Sequence, residues 1–319
     1  DLTDLHRLNG YVSTVDSGNL ITSLVAVGEA LRQLGQIDLA ERCDALTKAD
    51  MQSLYNTERD LFFLGYDVNS EKHGDICYDL YMSEARTTSY FACATGSVPK
   101  KHWRMLSRVP IEKNGYIGMA SWTGTAFEYF MPTLLLPHPK NTFLEESLIF
   151  AYHRQRSYTR GGIYGISESG YHHFDHEMNY QYKAFGVPAL SLKHYTEDEY
   201  VFSPYSTYLM AYLNERAAKT NLSRLQRLGA YGKYGFYEAV DMRNGGAKVV
   251  RSYMSHHVGM SICALTDLIN DGYLQKLFMN NKSMKCAHEL LEERIPDVGA
   301  YKRPHLDHPQ RLTSYSIGT

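Results

Sequence analysis

The chain has 319 residues, 44% hydrophobic and 21% charged, with a formal net charge of -2 and a sequence pI of about 6.7. That balance sets up no broad basic field, so nucleic acid is not an expected partner. No apolar run approaches the roughly 20 residues of a membrane span. Asp1-Leu2-Thr3-Asp4 carries no basic-then-apolar leader pattern.

The five cysteines, Cys43, Cys77, Cys93, Cys263 and Cys286, are scattered and form no C-x-x-C pair. A disulfide framework or thiolate zinc site is not expected, and a reducing, cytoplasmic setting is. Tyrosine is in excess, with 26 Tyr against 12 Phe and 2 Trp. A tyrosine ring has a flat apolar face and a hydroxyl at its edge, which suits sugars as well as it suits a core.

In chain order, Leu20, Leu24, Val27, Leu31 and Leu34 keep helical spacing up to Gly35, with Asp16 or Ser17 as the cap. A second helix is expected from Asp38 to about Asn56, making a hairpin through Gly35-Gln36-Ile37. Leu61–Asp67 reads as extended. From Leu80 the pattern is helical to Ala94, followed by a short helix at Lys100–Ser107, an extended Tyr116–Trp122 and a helix at Thr123–Met131. Thr142 with Glu145 resembles a capping box opening a helix to about Tyr158.

Gly161, Gly162 and Gly165 then lead into Ile166-Ser167-Glu168-Ser169-Gly170, and Gly161–Asp175 is expected to be an irregular, closely packed loop. Asn179–Leu192 is irregular around Gly186 and Pro188. Helices follow at Pro204–Asn214 and Asn221–Leu228, and then a glycine/tyrosine loop at Tyr231–Ala239. Val249–Met254 is strand-like and Ser255–Asn270 helical. Gly272–Met279 and Ser283–Glu293 are the last helices, closed by Pro296, with a polar, loosely held tail from Tyr301. No low-complexity linker divides the chain, so residues 1–319 are expected to form one domain. Helical hairpins alternating with loops rich in Gly, aromatics and carboxylates fit an all-α toroid, an α/α barrel, as well as an irregular bundle.

Glu168 is the carboxylate set among small residues between Tyr164 and Tyr171. Asp16, Asp79, Glu84, Glu128 and Glu238 are the other acids in apolar or glycine/aromatic context. Two carboxylates are the minimum for glycoside chemistry: one protonates the leaving oxygen, the other attacks the anomeric carbon or activates water. Their separation distinguishes the two, about 5–5.5 Å for attack and about 6.5–9.5 Å for a water-mediated displacement. His256 and His257 are adjacent, which on a helix sets them about 100° apart and argues against a shared ion. His172 and His176 could share a helical face only if Gly170 and the aromatics allowed a helix there. No metal and no cofactor are expected, and G-x-S-x-G and P-loop patterns are absent.

Six segments carry a specific resemblance: VDSGNL (Val15–Leu20), YDLYMSEAR (Tyr78–Arg86), YGISESGY (Tyr164–Tyr171), YQYKAFGVPALSLK (Tyr180–Lys193), YGFYEAVD (Tyr234–Asp241) and VVRSYMSHHVGMS (Val249–Ser261). In this order they resemble the glycoamylase-like domain of bacterial cyclic β-1,2-glucan synthases, and more distantly the endo-β-1,2-glucanases. The resemblance implies an (α/α)6 barrel acting on linear β-1,2-glucan as a retaining, cyclising transglycosylase. Glu168 would be the nucleophile and Glu84 the acid/base.

Candidates for holding the glucan are Asp16, Asp79, Arg86, Trp122, Glu128, Tyr164, Tyr180, Tyr182, Tyr237, Glu238, Arg251, His256 and His257. The alternatives are an inverting hydrolase with Asp79 or Glu238 as base, and a glucan-binding module without chemistry. In the parent synthases a membrane-bound glucosyltransferase part and a phosphorylase-like part flank this region. The coarse reading finds about ten or eleven helices, a barrel short by one hairpin or excised from such a parent.

Overall fold

The computed structural model describes residues 10–113 and 115–295. The expectations at Asp1–Asp4, at Pro296 and for the tail from Tyr301 lie outside those residues. Among the described residues, eleven α-helices follow one another: α1 Thr14–Gln33, α2 Ile37–Leu46, α3 Arg86–Thr95, α4 Lys101–Met105, α5 Ala126–Phe130, α6 Phe143–Ser157, α7 Pro204–Leu209, α8 Glu215–Arg227, α9 Ser255–Ile269, α10 Tyr273–Asn280 and α11 Lys282–Cys286. Small antiparallel sheets of two or three strands sit between them. The chain divides into two compact units, one from Asp1–Ser107 with Gln275–Leu290, the other from Arg108–Leu274 with Leu291–Thr319.

In the first unit α1 and α2 form the expected hairpin, turned by Gly35 at φ 72°. Three details differ from the sequence reading, the first being that α2 stops at Leu46, well short of the expected Asn56, which lies in the strand Tyr55–Asn56. On α1 the cap is Ser13, whose side chain accepts from the Asp16 amide, so Asp16 and Ser17 lie inside the first turn. The helix also turns a different face inward. Leu20, Val27 and Leu34 are exposed, while Gly18, Ile21, Thr22, Val25, Ala26 and Gly28 are buried. The reason is close approach: small residues let α1 settle against α2 and α3, and large apolar side chains would hold it off.

Gly18 sets that approach. A methyl there would fall 1.9 Å from Thr88 Oγ1 and 2.6 Å from its Cβ, too close for a side-chain rotation to relieve. Alanine gains about 1 kcal/mol of helix propensity over glycine, but overpacking a core costs about 1–3 kcal/mol. Gly18→Ala is therefore expected to destabilise the protein, read as a lower denaturant midpoint.

Helix α3 starts at Arg86, not Leu80, because the Leu80 region is held extended by pairing with Ser107. Its buried face meets α1 and α11, and the Tyr90 hydroxyl donates to the Met284 carbonyl at 2.6 Å. His102 is fully buried, within hydrogen-bond reach of the Asp60 carbonyl and Ser89 Oγ. Burial lowers its pKa from 6.5, against the pull of Asp60. The unfolded chain thus binds a proton below about pH 6.5 that the folded chain resists, and stability falls as pH drops through that value. Urea midpoints at about pH 7 and pH 5 should show the loss, and His102→Gln should flatten that part of the profile.

In the second unit α5 opens with a complete capping box, Thr125 with Glu128. At α6 Thr142 caps as expected by accepting from the Glu145 amide, but the Glu145 carboxylate accepts from Asn141 one residue upstream. The glycine-rich segment is irregular only in its first half. Ser169–Phe174 is a strand, paired antiparallel with Tyr180–Lys183, so part of the expected Asn179–Leu192 irregularity is ladder as well. The Tyr231–Ala239 loop contains the hairpin Tyr231–Gly232/Gly235–Phe236. Val201–Phe202, Ala239–Asp241 and Lys248–Val250 form a three-stranded sheet. Helix α8 begins at Glu215, well before the expected Asn221.

Candidate active site

Glu168 ends a segment whose backbone is pinned almost residue by residue. The Asn221 amide on α8 takes the Tyr164 N–H at 3.2 Å and gives to its carbonyl at 2.8 Å. The Gln155 amide on α6 does the same for Ile166, at 2.8 Å and 2.7 Å. Between them Gly165 adopts φ 110°, a conformation that side chains rarely take. Ser167 Oγ accepts from the Phe127 amide of α5 and from the Tyr205 hydroxyl of α7, and Tyr205 also reaches the Glu168 carbonyl at 3.0 Å. Buried backbone polar groups must find partners, and here helical side chains supply them where no sheet does. Three helices and one tyrosine thereby fix where the half-buried Glu168 stands.

The strand pairing then delivers Tyr182. Opposite Gly170 in the ladder, its hydroxyl donates to Glu168 Oε1 at 2.9 Å and lies 3.4 Å from His257 Nε2. Burial first, then the charges of Glu168 and Glu238, raise the Tyr182 phenol far above 10.0, so it remains a donor. The Tyr205 phenol is raised in the same way, chiefly by complete burial.

His257 stands in the first turn of α9, 3% exposed, with its ring stacked on Tyr205 at 3.8 Å. Its Nδ1 faces both oxygens of Glu238, at 2.9 Å and 3.0 Å. Glu238 precedes the strand Ala239–Asp241 and accepts from the Gly170 amide at 3.1 Å. A chain of contacts therefore runs from the buried Glu238 and His257 out to the exposed Tyr182 and the half-buried Glu168. A pocket beside it is lined by Tyr205, Tyr237, Glu238, Tyr253, Met254 and His257, among others.

The other residues expected at a site fall into groups. Arg251 is exposed over the Tyr237 ring, at 5.9 Å from its centroid. Trp122 is 58% exposed, and Tyr180 stacks on Phe174. Tyr164 and Tyr171, expected to flank Glu168 as platforms, are buried at 4% and 1% exposure. The Glu128 carboxylate accepts from Ser121, Thr123 and Thr125, which accounts for it as a cap. His172 and His173 lie on the strand Ser169–Phe174, and the imidazoles beside Glu168 are instead those of His256 and His257.

In the first unit, Glu84 sits half-buried in the turn just before α3 rather than within a helix, and Ser83 Oγ donates to it at 3.2 Å. Arg86 is buried, with its guanidinium on the Tyr81 carbonyl. Asp16 and Asp79 are exposed. Sequence reasoning missed Tyr205, Ser167, Gln155 and Asn221. Gln155, Tyr205 and Asn221 are polar residues on helices, which look solvated, Ser167 lies in the loop itself, and nothing in their spacing marks them as clamps.

Residues 150–282 match the Glycoamylase family model ("Putative glucoamylase"). The chain is 37% identical over 324 residues to the cyclic beta-(1,2)-glucan synthase NdvB of Rhizobium meliloti (strain 1021), covering 92% of this chain and 11% of that protein. Among solved structures it is similar to an endo-beta-1,2-glucanase from Chitinophaga pinensis, determined with sophorotriose and glucose, at 18% identity and TM-score 0.70 over 88% of this chain and 71% of that one. It is also similar to an endo-beta-1,2-glucanase from Talaromyces funiculosus, determined with sophorose, at 12% identity and TM-score 0.65 over 91% and 65%. The fold is the helical α/α-barrel type, which the six-motif resemblance implied and the hairpin pattern allowed beside an irregular bundle. No helix among the described residues is long and apolar enough to cross a membrane.

Proposed function

We propose that this chain, which belongs to the glycoamylase-like family, is a retaining transglycosylase on linear β-1,2-glucan. Residues 1–319 would be its single catalytic domain. Glu168 attacks the anomeric carbon, and the bond to the departing glycosidic oxygen breaks as that oxygen takes a proton from Glu84. An acceptor hydroxyl then gives its proton back to Glu84 and displaces Glu168, restoring the original configuration. The observation that carries this is the fixed carboxylate of Glu168, clamped through its backbone and hydrogen-bonded by a tyrosine that stays protonated. The role of Glu84 rests on the SEAR motif and its half-buried position.

Inverting hydrolysis is the second reading, in keeping with the glucanases that share the fold. It is weakened for Glu238 as base, because that carboxylate is buried and already engaged by His257 and Gly170. Tyr182, Tyr237, Arg251 and His256 are proposed to hold the sugar. The chain spans 11% of the synthase it matches. Glucosyltransferase and phosphorylase-like neighbours in a parent protein, and a cytoplasmic place beside its membrane part, are part of the same proposal.

Incubation with linear β-1,2-glucan decides among the readings. Cyclic or longer products mean transfer, new short reducing ends mean hydrolysis, and unchanged polymer with measurable affinity means binding alone.

A further inference from the structure

We propose that Glu168, His256 and His257 also form a binding site for a divalent transition-metal cation of the zinc class. One ligand atom from each residue lies within 4.8 Å of the others. The sequence argument against a shared ion was the divergence of adjacent helix positions, yet the two imidazole centroids are only 4.0 Å apart. Both stand in the first turn of α9, where the chain has just left the strand Lys248–Val250.

The second observation is the support behind His257. The Glu238 carboxylate engages Nδ1, which leaves Nε2 as the ring nitrogen facing away from it, and stacking on Tyr205 fixes the plane of the ring. A carboxylate behind a ligating imidazole is the usual outer partner of a protein metal site. Tyr182 shows where Nε2 points: its hydroxyl touches Glu168 and lies near Nε2, so both face the same small volume.

Bonds of about 2.0–2.2 Å around a tetrahedral ion bring ligand atoms to roughly 3.4 Å from one another. His256 is exposed, while His257 is buried and held by Glu238, so the adjustment to that spacing falls to His256. Two imidazole nitrogens and one carboxylate oxygen suit zinc, nickel or copper and not magnesium or calcium, which require oxygen shells. The N-terminal end of α9 disfavours a cation modestly, and the two carboxylates, Glu168 and Glu238, outweigh it. A bound ion would occupy the lone pairs of Glu168 and stop turnover reversibly. That consequence rests on the proposed role of Glu168, whereas the binding does not.

Titration of Zn2+ alone into the whole chain, followed by calorimetry in metal-free buffer, tests the site without any glucan. The expected result is one event near one ion per chain, weakened at least about tenfold in both His256→Ala and Glu168→Gln. The exposed His194→Ala should keep wild-type affinity. Co2+ in place of Zn2+ should give visible absorption of a four-coordinate site, lost in His256→Ala. Wild-type binding no tighter than about millimolar, or less than a tenfold loss in either variant, overturns the proposal. Zinc binding in a protein inert toward β-1,2-glucan would sink the proposed function and leave the metal site standing.

Discussion

Glu168→Gln is expected to cut turnover of linear β-1,2-glucan at least about a thousandfold while leaving the fold intact. The substitution is isosteric, and the clamps on this segment act on backbone atoms and on Ser167, none of which it touches. Tyr182 still finds an oxygen to donate to. What is lost is the anionic oxygen that attacks the sugar, and an amide is too weak a nucleophile to replace it. Product formation, with circular dichroism as the check on folding, reads the result. Activity within tenfold of wild type would remove Glu168 from the mechanism.

How much of this was legible beforehand depends on the kind of signal each residue gives. The glycines before Glu168 announced special backbone, and Gly165 at φ 110° bears that out. The helical hairpins were readable from spacing, because burying an apolar stripe is a local requirement. The choice of face on α1 was not readable. It follows from how closely a neighbour approaches, and Gly18 against Thr88 is a tertiary fact.

The clamps were hidden for a related reason. Gln155 and Asn221 are fully buried amides on helices with polar faces, and only the assembled fold shows that they replace a missing ladder. Adjacent histidines look divergent by helix geometry, yet one is drawn in by Glu238 and the other leans over it at 4.0 Å. The sugar chemistry came from ordered motifs. Composition and periodicity alone gave no more than a bowl lined with tyrosine and carboxylate.

The largest stability effect is expected at Glu238. Its carboxylate is 4% exposed and receives two buried donors, His257 Nδ1–H and the Gly170 amide. Glu238→Ala strands both, and each unsatisfied buried donor costs about 1–3 kcal/mol. Removing one partner of a buried pair typically costs about 3–5 kcal/mol in all, and that is the expected loss here, read from urea unfolding by far-UV circular dichroism. Glu238→Gln can keep an acceptor oxygen at the Oε1 position, which both donors reach, but it turns an NH2 group toward His257 Nδ1 in place of Oε2 and removes the charge, so a smaller loss of about 1–3 kcal/mol is expected.

The milder variant also separates packing from positioning. In a fold still intact, His257 without its carboxylate no longer holds one tautomer, and the ring that steers the Tyr182 hydroxyl toward Glu168 is released. Turnover should then fall more than glucan affinity does. Equal losses in both would mean that Glu238 serves the fold alone.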